Sequence, residues 1–147
     1  MGITLDDDAR QYLAAFEDVT SVDGQDCLVL EATEAADADE QLLIVVSSGQ
    51  MSEAIGPGGR TVTRYEDRVG KPVRLVEDAA DPEEFVANAL SPAAVYNVTI
   101  SENQDTVAYV EVANDDRGVA IGTGGRTIEA ARTLADRHFD IDDVQLV

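Results

Sequence analysis

The sequence predicts an α+β chain made of two tandem copies of one small module, and three observations carry that expectation. The nonapeptide Ala54-Ile55-Gly56-Pro57-Gly58-Gly59-Arg60-Thr61-Val62 returns 66 residues later as Ala120-Ile121-Gly122-Thr123-Gly124-Gly125-Arg126-Thr127-Ile128, with seven of nine positions identical. Self-similarity at a fixed spacing marks a repeated structural unit. An apolar run precedes each copy at the same distance, residues 42–46 before the first and 107–112 before the second. The length, 147 residues with 44% hydrophobic content, suits one domain or two small ones and provides for packed cores.

In the first copy, Thr4 and Asp7 can form an N-terminal capping arrangement. Leu5, Tyr12, Leu13 and Phe16 recur at helical spacing, which predicts a helix over 4–18. Residues 27–32 and 42–46 are short apolar runs rich in Val, Ile and Leu, separated by the polar stretch 34–40, and read as strands. Ser48 can cap a short helix carrying Met51 and Ile55 that stops at Gly56. Beyond the glycines, Val62, Tyr65 and Val69 share one helix face while Arg60, Arg64 and Arg68 occupy the other. A strand over 73–76 completes the copy.

The second copy repeats the order. Asp81 caps a helix with Pro82 at its first position, running to 90. Strands follow over 95–101 and 107–112, joined by a polar turn. Then come a short helix over 115–121, the second glycine loop, a helix to 139 with Ile128, Ala131, Leu134 and Ala135 inward, and a last strand over 144–147. The junction between copies falls at 78–81.

The net charge is -20, with 30 acids against 10 bases and a pI near 4.1, which at first argues against nucleic acid as a partner. The distribution says otherwise. Nine of the ten bases fall in two windows, 56–74 (net +3) and 117–137 (net +2), leaving -25 on the remainder. Each window contains one glycine loop. The bases are nine Arg and one Lys, and the planar guanidinium fork suits phosphate. The acidic excess resembles the composition of proteins adapted to molar salt, where a Debye length of about 3 Å screens self-repulsion.

No run approaches the roughly 20 apolar residues a membrane span requires, and residues 1–10 lack a basic segment leading into a hydrophobic one. The expectation is a cytoplasmic chain with no membrane contact. Cys27 is the single cysteine, which excludes an intramolecular disulfide and a multi-cysteine metal site. The only histidine, His138, has no nucleophile pattern around it, and acidic pairs such as Asp115-Asp116 and Asp142-Asp143 read as solvated surface. Neither catalytic nor metal-binding residues are expected, and no cofactor.

A loop between two helices sets the N-terminus of the second, with its free N–H groups and partial positive charge, beside a backbone that glycines allow an anion to approach. A phosphate is the natural guest. Neither loop has the Gly-Lys-Ser/Thr of a P-loop, and a helix rather than a strand precedes each, which disfavours the dinucleotide fingerprint.

Ile-Gly-x-x-Gly between two helices, followed after Arg-Thr by Val62 or Ile128, resembles the signature of the KH domain in both copies. The element order is similar to the type II, prokaryotic form, and a chain of little more than two such modules resembles the archaeal NusA-like transcription factors. The resemblance implies two tandem type II KH domains, 1–77 and 78–147, each a three-stranded mixed sheet with helices on one face. It implies that Ile55, Gly56, Pro57, Gly58, Gly59, Arg60 and Arg64, and Ile121, Gly122, Thr123, Gly124, Gly125 and Arg126, bind single-stranded RNA, each groove clamping about four nucleotides. The variable positions carry no base, so phosphate contact rests on backbone N–H groups and the following Arg. Pro57 lacks a donor, so the second loop is expected to offer more hydrogen bonds. Four phosphate contacts would lose roughly 600-fold in affinity over a tenfold rise in salt, so groove packing must dominate at molar salt. The implied role is transcription elongation or termination on nascent RNA, as a monomer contacting RNA polymerase. A protein-interaction adaptor or ribosome-associated KH protein is the alternative.

Overall fold

The computed structural model describes residues 6–31 and 39–147. The chain is α+β, with two three-stranded mixed sheets, and divides between Asp78 and Ala79 into two compact units.

In the first unit, helix α1 (Asp7–Thr20) starts at Asp6, whose carboxylate accepts the Ala9 N–H at 2.7 Å. The expected cap, Thr4, and the helical position Leu5 lie outside the described residues, and Asp6 does the capping. Ala9, Leu13 and Phe16 form the buried stripe. Strand β1 (Gly24–Leu30) begins three residues earlier than expected, and Ala32, like residues 34–38 of the polar stretch, lies outside the described residues. The early start was hidden by Asp26, a fully buried acid at a register shift, whose carboxylate accepts the N–H of Cys27. Strand β2 (Gln41–Val46) is central, antiparallel to β1 and parallel to β3 (Val73–Glu77).

Every residue from Leu42 to Val46 is fully buried, so β2 is covered on both faces. On one face, Leu42, Ile44 and Val46 join Phe16, Val22 and Tyr65 in the core. Tyr65, on helix α3 (Arg60–Val69), is the largest fully buried side chain. Its ring meets Phe16 edge-on at 5.1 Å, and its hydroxyl donates to the Tyr12 carbonyl at 2.8 Å. Burial pushes the Tyr65 hydroxyl well above its ordinary pKa, so it remains a donor. Helix α2 (Met51–Ile55) precedes the glycine loop; Gln50 stands at its N-cap without a side-chain bond, so Ser48 does not cap it as expected.

In the second unit, α4 (Pro82–Ala89) is capped by Asp81, which accepts the Glu84 N–H at 3.3 Å. Strands β4 (Val95–Glu102) and β5 (Thr106–Val112) are antiparallel, and β6 (Asp143–Leu146) lies parallel to β5, so the strand order and directions of the first sheet recur. Ala108, Val110 and Val112 of β5 are buried and Tyr109 and Glu111 exposed, the alternation of a sheet with one wet face. A 3₁₀ turn (Asn114–Asp116) leads into α5 (Arg117–Ile121), and α6 (Arg126–Phe139) buries Ile128, Ala131, Leu134 and Ala135, as its periodicity predicts. Phe85 on α4 meets the rings of His138 and Phe139 on α6, each at 5.1 Å. His138 is thereby a packing residue.

Candidate nucleic-acid interface

Each glycine loop is a single 3₁₀ turn, Pro57–Gly59 or Thr123–Gly125, between a five-residue helix and a longer one. The two backbones coincide. Gly56 has φ 77° and ψ 171° against 80° and 171° for Gly122; Gly58 has 61° and 22° against 61° and 20° for Gly124; Gly59 has 76° and 13° against 81° and 9° for Gly125. The first conformation is open to glycine almost alone, whereas the other two are left-handed helical and tolerate Asn or Asp.

A second constraint falls on the first glycine. A Cβ on Gly56 would stand 2.1 Å from Thr61 Oγ1 and 2.9 Å from the Thr61 backbone nitrogen; on Gly122 it would meet Thr127 at 2.3 and 2.8 Å. Gly58 and Gly59, by contrast, have nothing within 4 Å of that position, so the turn of the first loop is open to solvent. Thr61 and Thr127 thus help define the loops. Sequence reasoning passed over them, although their identity in both copies of the nonapeptide was the available signal.

The expected row of free N–H groups is narrower than foreseen. Gly56 donates to Ser52 O at 2.9 Å, Gly59 to Gly56 O at 3.1 Å, and Arg60 to Pro57 O. Gly122, Gly125 and Arg126 make the equivalent bonds to Gly118, Gly122 and Thr123. These bonds hold the turn's shape, so more of the attraction for an anion falls to side chains.

The structure places the expected side chains unequally. Ile55 and Ile121 are exposed, at 39% and 42%, at the ends of the helices entering the loops. Arg60 and Arg64 are exposed one turn apart at the start of α3, and neither makes an ion pair or side-chain hydrogen bond among the described residues. Arg126 is half-buried and has interactions within the chain. The position matching Arg64 in the repeat is Ala130, which is buried. Val119, 42% exposed two residues before Ile121, was not foreseen; the matching residue in the first copy is Glu53.

The other bases serve the fold. Arg68 pairs with Asp18 at 2.5 Å and Lys71 with Glu40 at 3.0 Å. Arg74 lies half-buried in β3, where desolvation lowers its pKa from the usual arginine range. Arg117 donates to the Val147 carbonyl at 2.8 Å, and Arg132 pairs with Glu129 and with Asp143 at 2.9 Å. Among the described residues no cluster of metal-ligating side chains occurs, and no helix is long and apolar enough to cross a membrane.

Residues 82–146 match the NusA-like second KH domain. The chain is 54% identical over 146 residues to the probable transcription termination protein NusA of Halococcus morrhuae and 55% identical over 146 residues to that of Halobacterium salinarum, in each case across 99% of both chains. The crystal structure of APE1850 superimposes with a TM-score of 0.77 at 28% identity, covering 97% of this chain and 100% of that one. Identity above one half over nearly the whole of both chains, with a matching KH domain in the second unit, means that the chain belongs to the NusA family.

Proposed function

We propose that the chain is a non-catalytic transcription elongation and termination factor that grips nascent single-stranded RNA through two tandem type II KH domains, 1–77 and 78–147. The observation that carries this reading is the coincidence of the two glycine loops, residue by residue, in units whose sheets share strand order and direction. Where the second unit matches a KH domain, the same loop geometry in the first supports the same assignment there.

In this reading the RNA backbone crosses Gly56, Pro57, Gly58 and Gly59 in the first domain and Gly122, Thr123, Gly124 and Gly125 in the second. Arg60 and Arg64 lie beside the phosphates at the first loop, while Arg126, half-buried and with interactions within the chain, contributes less at the second. Ile55 and Ile121 give the bases an apolar wall, since unstacked bases gain from contact with apolar surface. The relatives' name, transcription termination protein, supports a role on the nascent transcript; in this reading RNA polymerase is the partner, and the factor is a cytoplasmic monomer.

The test replaces Gly58 and Gly124 together by Asp, whose left-handed backbone is tolerable and whose side chain would take up the space the RNA backbone needs and set a carboxylate against phosphate at contact distance, where screening is weakest. Anisotropy of a short fluorescent single-stranded RNA in molar potassium chloride should show affinity falling at least tenfold, the cost of about 1.4 kcal/mol. Unchanged affinity would remove the loops as the site. Co-sedimentation with RNA polymerase checks the partner separately.

A further inference from the structure

The two glycine loops share a backbone but not a chemistry, and the difference is legible side chain by side chain. At the first loop, Arg60 and Arg64 stand exposed on successive turns of α3, and both guanidinium groups are unengaged among the described residues. The apolar surface there is Ile55, with Glu53 two residues before it. At the second loop each of the four bases in its window has work elsewhere in the chain: Arg117 holds the Val147 carbonyl, Arg132 holds Glu129, Asp143 and the Val144 carbonyl, and Arg126 and Arg137 have interactions of their own. What the second loop exposes instead is Val119 and Ile121, both at 42%, with no carboxylate between them.

We infer that the two sites divide the binding of RNA by physical mechanism: the first is an ionic, salt-sensitive clamp made by Arg60 and Arg64, and the second an apolar, salt-insensitive one made by Val119 and Ile121. The inference rests on the RNA-binding reading above and goes beyond it, because two matching loops alone would predict two equivalent sites. The physical basis is a difference in how two attractions respond to salt. Each phosphate neutralised on a single strand steepens the fall of log affinity with log salt by about 0.7, through release of condensed counterions. Apolar burial releases no counterions, and salts that are excluded from protein surfaces strengthen it. A chain built for concentrated salt therefore keeps its salt-proof contacts in one module, while the other responds to dilution.

The experiment measures anisotropy of a short fluorescent single-stranded RNA of mixed sequence against full-length protein over a tenfold range of potassium chloride. For Arg60→Ala/Arg64→Ala, the log–log slope should be shallower than wild type by about 1.4, so a tenfold rise in salt weakens wild type about 25-fold more than the variant. For Val119→Ser/Ile121→Ser, affinity should fall by about tenfold at every salt concentration with the slope unchanged. Val119→Glu, which gives the second loop the residue the first has at that position, should weaken binding at high salt as the loss of apolar contact does, and further at low salt, where its carboxylate repels phosphate. All four of these positions are exposed, and circular dichroism verifies that each variant is folded. Arg10→Ala, a base remote from both loops in sequence, should leave the slope as it is. Equal slopes for wild type and the arginine variant, or a slope change of the same size in Arg10→Ala, would overturn the division. If wild type itself binds no RNA anywhere in the range, the RNA-binding reading fails and takes the division with it.

Discussion

Thr61 lies directly against Gly56, so close that a Cβ on the glycine would come within 2.1 Å of its Oγ1 and 2.7 Å of its Cβ. Gly56→Ala therefore meets two penalties: a backbone conformation closed to L-residues and a collision that includes main chain. Together they should cost roughly 2–4 kcal/mol. Gly122→Ala should behave alike, since Thr127 repeats the contact. Gly58→Asn, in open space with a left-handed backbone, should cost under about 1 kcal/mol. Thermal unfolding of the three variants checks the ranking.

The Tyr65 hydroxyl joins α3 to α1 through the Tyr12 carbonyl. Tyr65→Phe keeps the ring against Phe16 and removes only that bond, so it should cost about 1 kcal/mol. Tyr65→Ala also empties the core beneath the loop and should cost about 3–5 kcal/mol. Because the free carbonyl in the Phe variant is only partly buried, a loss near the alanine value would show that the ring is not the main anchor.

Asp143 makes the second unit sensitive to acid. The side-chain amide of Gln145 donates to its carboxylate at 2.9 Å, and the Val144 N–H and Arg132 add to this, holding its pKa below the ordinary value of 3.8 despite some desolvation. A depressed folded-state pKa contributes stability that is complete above the unfolded value and is lost as pH falls through the folded one. Wild type should thus exceed Asp143→Asn by under about 1 kcal/mol near neutrality, with the margin closing below about pH 4. Melting temperatures between pH 2 and 7 at fixed salt measure it.

With -20 of net charge, the folded state should gain from screening. Raising potassium chloride from about 0.1 M to about 1 M shortens the Debye length from about 10 to about 3 Å, and the melting temperature should rise by several degrees. A flat response in calorimetry would mean that the acidic surface does not strain the fold.

The order of elements was legible because it depends on short-range pattern. The stripe of α6 and the Asp81 cap are read from neighbours in the chain, and the structure has both. The start of β1 was not legible, because Asp26 is an acid that only the folded sheet can bury. Ser48 looked like a cap from its residue type, yet the backbone turns helical three residues later, at Met51. At the loops the charges were visible in sequence but their availability was not. Whether an arginine is free depends on partners such as Asp18 for Arg68 and Asp143 for Arg132, which chain position does not announce. Val119 was hidden for the converse reason, since an apolar residue in a short helix reads as core until its exposure is known.

The bonds that close each glycine turn on itself, Gly59 to Gly56 and Gly125 to Gly122, together with the threonine packed behind, mean that the loop is shaped by its own chain rather than by its guest. The entropy lost in ordering these residues is settled when the protein folds, not when a ligand arrives. On the proposed RNA-binding reading, association should then be quick and its cost confined to the incoming strand, so affinity at the loops should track the flexibility of the RNA more closely than that of the protein.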